Sequence, residues 1–152
     1  MSSKLFVPIA GIMAIVAVAF VQAYQPADAR RYINPRTKAD TAAPFSGGVF
    51  VGNILYLAGE LGTDANNNVP DSPDAEAKAV LDKVQARLKS AGLTMDDLVS
   101  VQVFCSDVKH YAAFNDVYRT YFTKEYPARA FIGSGPLLYN ARFEVQGVAV
   151  KR

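Results

Sequence analysis

The chain has 152 residues, 51% of them hydrophobic, and its 16 basic and 14 acidic residues give a formal net charge of +2. That length suits one compact domain and is short for two. A mild positive balance without a Lys/Arg run excludes an extended nucleic-acid surface; one histidine, His110, and one cysteine, Cys105, exclude the usual kind of zinc site and an internal disulfide.

Residues 5–21 (LFVPIAGIMAIVAVAFV) carry no charge and as a helix would reach about 26 Å, against a bilayer core of about 30 Å. Lys4 precedes the run, and small-residue cleavage sites follow at Val21-Gln22-Ala23 or Ala27-Asp28-Ala29. It reads as a signal peptide or as a retained anchor through residues 5–24. Arg30, Arg31, Arg36 and Lys38 come next, a flank that would hold the C-terminal side of an uncleaved segment in the cytoplasm. The expectation is a leader or anchor over 1–29, a folded domain over 30–152, and a periplasmic or exported protein. Taking away 1–29 removes Lys4 and Asp28 and leaves the net charge at +2.

Residues 30–48 mix charge, Pro and Gly and read as a lead-in. Val49-Phe50-Val51 and Ile54 to Gly59 flank Gly52-Asn53 as a hairpin would. A turn-rich loop follows, from Gly62 to Pro70. Ser72 suits an N-cap with Pro73 at the first helical position, and Ala77, Val80, Leu81, Val84, Leu88 and Ala91 form one stripe before Gly92 ends the helix. Val99, Val101, Val103 and Cys105 alternate with polar residues and Phe104, the period of a strand that puts Cys105 in the core. A second helix is expected from near Asp107, turning Tyr111, Phe114, Val117, Tyr118, Tyr121 and Phe122 inward and placing His110 at its start. Pro127 stops that helix, and Ala128 to Ile132 and Arg142 to Val150 read as strands.

The order strand, strand, helix, strand, helix, strand, strand is α+β, with two helices on one sheet face and nothing in the chain to cover the other. If Phe143, Val145 and Ala149 face the helices, Glu144, Gln146, Val148 and Val150 face away. That second face is expected to be buried against other copies of the chain. Arg129, on a short apolar strand before Gly133-Ser134-Gly135-Pro136, offers a five-donor fork to a carboxylate. Glu144 projects from the last strand to the face opposite Phe143 and Val145, either as a solvated or ion-paired strand carboxylate or as a functional one.

The Pro127-Ala128-Arg129 segment and the strand around Glu144 recur here with Pro44-Phe45-Ser46, Val51-Gly52-Asn53, Leu57-Ala58-Gly59-Glu60 and Phe114-Asn115-Asp116-Val117-Tyr118. In these residues, over roughly 30–152, the chain resembles the RidA/YjgF family of enamine/imine deaminases. The resemblance implies a chorismate mutase-like fold, a homotrimer, and cofactor-free hydrolysis of small 2-imino acids to 2-keto acids and ammonia. It implies that Arg129 binds the substrate carboxylate, that Glu144 holds the attacking water, and that Asn115, Gly59, Phe131, Phe45 and Ala58 border the site. Many members have tyrosine where Phe45 stands, serine at Ala58 and a small residue at Phe131. Those departures make a weakly catalytic carboxylate-binding module the alternative, and an RNA-cleaving role is disfavoured by the weak positive charge.

Overall fold

The computed structural model describes residues 29–33 and 44–152. Seven strands form one mixed sheet: β1 (Arg30–Ile33), β2 (Gly48–Val51), β3 (Ile54–Leu57), β4 (Glu60–Leu61), β5 (Leu98–Cys105), β6 (Ala128–Gly133) and β7 (Phe143–Val150). The order across the sheet is β1-β2-β3-β7-β5-β6, with β4 also paired to β7. Every pairing is antiparallel except β5 with β6. Helix α1 (Pro73–Ser90) and helix α2 (Tyr111–Tyr118) pack on one face, as the α+β reading expects.

Local chemistry sets the main boundaries. The Ser72 hydroxyl accepts from Ala75 N–H at 3.3 Å and Pro73 starts α1; Gly92, at φ 77°, takes the left-handed backbone that ends it. Gly52, at φ 60°, makes the tight β2–β3 turn. Helix α2 is shorter than the expected run because 3-10 turns occupy Val108–His110 and Arg119–Tyr121 on either side of it. Asp107 caps the first turn by accepting from Lys109 N–H at 3.0 Å. His110 is the residue before α2, its ring edge-on to Phe143.

The α1 stripe Ala77, Val80, Leu81, Val84 and Leu88 meets Leu55, Leu57, Val101, Val103, Cys105, Phe143, Val145 and Ala149 in one core. Glu76 is the fully buried exception. Its carboxylate accepts from Arg142 Nη1 at 2.7 Å, Arg142 N–H at 2.5 Å and Phe143 N–H at 3.0 Å, while the same guanidinium donates to the carbonyls of Pro70 and Asp71. One side chain thereby ties the first turn of α1 to the start of β7. A buried carboxylate is tolerated there because its partners satisfy it.

Between β3 and β4 the register against β7 shifts by one. Tyr56 faces Val148 but Glu60 faces Val145, so three residues, Leu57, Ala58 and Gly59, oppose two, Gln146 and Gly147. This bulge reverses which side chains point to the helices.

The expectation of a periplasmic, exported or membrane-anchored protein is corrected. The apolar run that suggested it lies outside the described residues, and among the described residues no helix is long and apolar enough to cross a membrane. Among the described helices only α1, at 18 residues, approaches the length, and Asp74, Lys78, Asp82 and Lys89 lie exposed along it.

Candidate active site

Pairing across the sheet decides where the two candidate chemical groups point. Arg129 stands beside Val101 and Phe131 beside Val103, both core valines, so both project toward the helices. Glu144 stands beside Phe104 in the register between the core pairs Cys105/Phe143 and Val103/Val145, so it projects to the uncovered face. Within one chain, therefore, Arg129 and Glu144 lie on opposite faces of the sheet.

On the helix side, Arg129 Nη2 donates to Asn115 Oδ1 at 2.7 Å. The guanidinium carbon sits 4.5 Å from the Tyr118 ring centroid and 5.8–6.0 Å from those of Phe131, Phe114 and Tyr111. Aromatic faces attract a cation but cannot replace an anion. Among the described residues Arg129 forms no ion pair, and Nη1 is buried with no hydrogen-bond partner. Leaving such a donor unmet costs about 1–3 kcal/mol. A cavity of about 250 Å³ adjoins it, lined by Tyr111, Asn115, Tyr118, Arg119, Tyr126, Pro127 and Arg129. Phe131 packs behind the guanidinium, edge-on to Tyr111 at 4.9 Å and to Phe114 at 5.6 Å, and does not line the cavity.

On the open side, the Glu144 carboxylate lies over Gly59: a Cβ built on Gly59 would run into Oε1. The missing side chain makes room for the carboxylate itself. Ala58 adjoins, its N–H donating to the Gly47 carbonyl at 3.2 Å, and Phe45, 63% exposed, lies two residues before Gly47. The sequence candidates thus fall into two groups, Arg129 with Asn115 and Phe131, and Glu144 with Gly59 and, next to it in the chain, Ala58; Phe45 is exposed and joins neither.

Four cavity residues were not singled out as site residues by the sequence reading: Tyr111, Tyr118, Arg119 and Tyr126. The signal was present for two, because Tyr111, Asn115 and Tyr118 follow the four-then-three spacing of one helix stripe. Tyr111 was expected inward and is 49% exposed at the cavity mouth.

Burial pushes the Tyr118 hydroxyl up to about 12 from the usual 10.0, against a smaller opposing pull from Arg129. The folded chain keeps that proton at a pH where the unfolded chain has lost it, so this contribution is complete below pH 10 and disappears as pH rises through about 12. Tyr121, raised by burial and then by its bond to Asp82, acts in the same direction. Stability measured by urea unfolding is expected to fall by about 2 kcal/mol more between pH 9 and 12 in wild type than in Tyr118→Phe; parallel curves would contradict the assignment.

The sequence profile of the family described as Endoribonuclease L-PSP matches residues 36–151. The chain belongs to this family, the RidA/YjgF family. It is 33% identical over 124 residues to a 2-iminobutanoate/2-iminopropanoate deaminase of Capra hircus, covering 80% of this chain and 90% of the relative. Among solved structures it is similar to the YjgF gene product of E. coli (28% identity, TM-score 0.72, 80% of this chain and 99% of that one). It is also similar to E. coli TdcF with bound serine (25% identity, TM-score 0.71, 80% of this chain and 100% of that one). The fold is accordingly the YjgF-like α+β fold, a mixed sheet with two helices.

Proposed function

We propose that the protein hydrolyses reactive 2-imino acids, with their enamine tautomers, to 2-keto acids and ammonia. The observation that carries this is the Arg129 guanidinium, held by Asn115 and aromatic faces, with a buried N–H that no group of the described residues meets. A planar fork with a free donor suits a carboxylate. The relative named as a 2-iminobutanoate/2-iminopropanoate deaminase and the neighbour with bound serine support a small amino-acid-like ligand.

In the proposed reaction Glu144 orients a water and accepts its proton as the water oxygen bonds to C2. That proton then passes to nitrogen, and as the C–N bond breaks the new hydroxyl on C2 gives up its own proton, through Glu144, to the departing nitrogen, so that C=O forms and ammonia leaves the 2-keto acid. Since Arg129 and Glu144 lie on opposite faces of one chain, the reading needs a second copy. β6 is an edge strand, and Tyr56, Val99 and Ile132 are 49%, 47% and 37% exposed. Apolar exposure on a bare sheet supports self-association, in the homotrimer that the sequence resemblance implies. Arg129 of one copy would then face Glu144 of the next.

An amino-acid oxidase supplying imine, with semicarbazide capturing what remains, tests the activity. Wild type should reduce capture. If it does not, yet binds a 2-keto acid saturably, the carboxylate-binding alternative stands, which the hydroxyl-free Phe45 and Ala58 favour. The endoribonuclease activity in the family's description finds less support, because the charge of +2 includes no Lys/Arg run.

With Tyr111, Tyr126 and Pro127 bordering the cavity, the substrate side chain is placed against apolar walls. The imine of leucine is expected to show about fivefold higher kcat/KM than that of alanine. Preference for the smaller imine would remove those walls from the site.

A further inference from the structure

Two buried side-chain atoms among the described residues lack a hydrogen-bond partner, Arg129 Nη1 and Tyr118 Oη, and both residues line one cavity. Orphaned polar atoms in an interior are uncommon, and two at one place point to a missing partner. Tyr118 is 5% exposed. Its ring is held by Phe114 and Phe122, with centroids at 5.7 and 4.7 Å, and carries the guanidinium at 4.5 Å. The ring is thus packed on several sides. Asn115 Oδ1 already serves Arg129 Nη2.

We infer that Tyr118 is a second recognition residue for the ligand, its hydroxyl and Arg129 Nη1 each donating to one oxygen of the carboxylate of a 2-imino or 2-keto acid. This rests on the reading of Arg129 given above. A monocarboxylate fits the charge, because Arg119, the other cation on the cavity, is paired with Asp116 at 2.8 Å. Both donor atoms are covered in the free chain, so the ligand is seated when the outer wall turns aside; Tyr111 and Tyr126, 49% and 55% exposed, form that wall.

Tyr118→Phe keeps the ring under the guanidinium and removes Oη alone. With 2-oxobutanoate as the calorimetric probe, Kd is expected to rise about tenfold, and KM for the imine to rise with it while kcat stays within about threefold. The melting temperature should hold or increase, because an unpartnered buried hydroxyl has gone. An unchanged Kd overturns the inference. So does a lower melting temperature together with loss of self-association, which would assign the hydroxyl to a contact between copies. Turnover by wild type that Tyr118→Phe matches in KM and kcat sinks this inference alone. Tyr118-dependent binding by a wild type without turnover sinks the hydrolysis and leaves the inference standing. A wild type that neither binds 2-oxobutanoate nor turns over the imine overturns both.

Discussion

Arg129→Ala is expected to lower kcat/KM for a 2-imino acid by about 100-fold or more, equivalent to about 3 kcal/mol of lost stabilisation. The residue sits on an edge strand with its fork half occupied by Asn115, so truncation removes the ligand's charge partner with little disturbance to the fold. Arg129→Lys should recover only part of the activity, since an ammonium cannot reproduce two parallel bonds. A sharper outcome comes from mixing. If the Arg129 of one copy works with the Glu144 of another, inactive Arg129→Ala and inactive Glu144→Gln, unfolded and refolded together, should regain activity. Random assembly of equal amounts puts both intact groups at roughly a quarter of the sites. A mixture as inactive as its parts would mean that the two groups never share a site.

The second large effect concerns stability. Glu76→Ala is expected to cost about 3–5 kcal/mol in urea unfolding, because it strands the Arg142 guanidinium and two backbone N–H groups that its carboxylate serves. Glu76→Gln keeps an acceptor for the backbone and should cost distinctly less. A Glu76→Ala protein within about 1 kcal/mol of wild type would show that Arg142 finds other partners, and that α1 does not fix β7.

Much of this architecture was legible in the residue pattern. Ser72, Pro73 and Gly92 bounded α1, Gly52-Asn53 marked the hairpin, and the alternation of Val101, Val103 and Cys105 gave β5. A register shift between Leu98 and Ser100, however, puts Leu98 in the core and leaves Val99, expected on the same face as those valines, exposed. The division of β7 into Phe143, Val145 and Ala149 inward and Glu144 and Gln146 outward also matched. Strand β1 was hidden because three of its four residues, Arg30, Arg31 and Tyr32, are exposed; pairing with β2 creates it. Strand β4 was hidden because it has two residues and follows a bulge. At the site, the Pro127-Ala128-Arg129 segment marked Arg129, and Asn115 proved to be its neighbour. The separation of Arg129 from Glu144 was not legible, since which face a strand residue takes depends on register against partners distant in sequence.

The anchoring of β7 by Glu76 also says where the gene can change length. Because Arg142 and Phe143 are both bound to that carboxylate, the step from there to Glu144 is counted from a fixed origin. One inserted residue in that step would turn the acid toward the helices. Additions among residues 134–140, ahead of the origin, would leave its direction unaltered, and natural variants are expected to differ in the length of that loop while preserving the interval behind it.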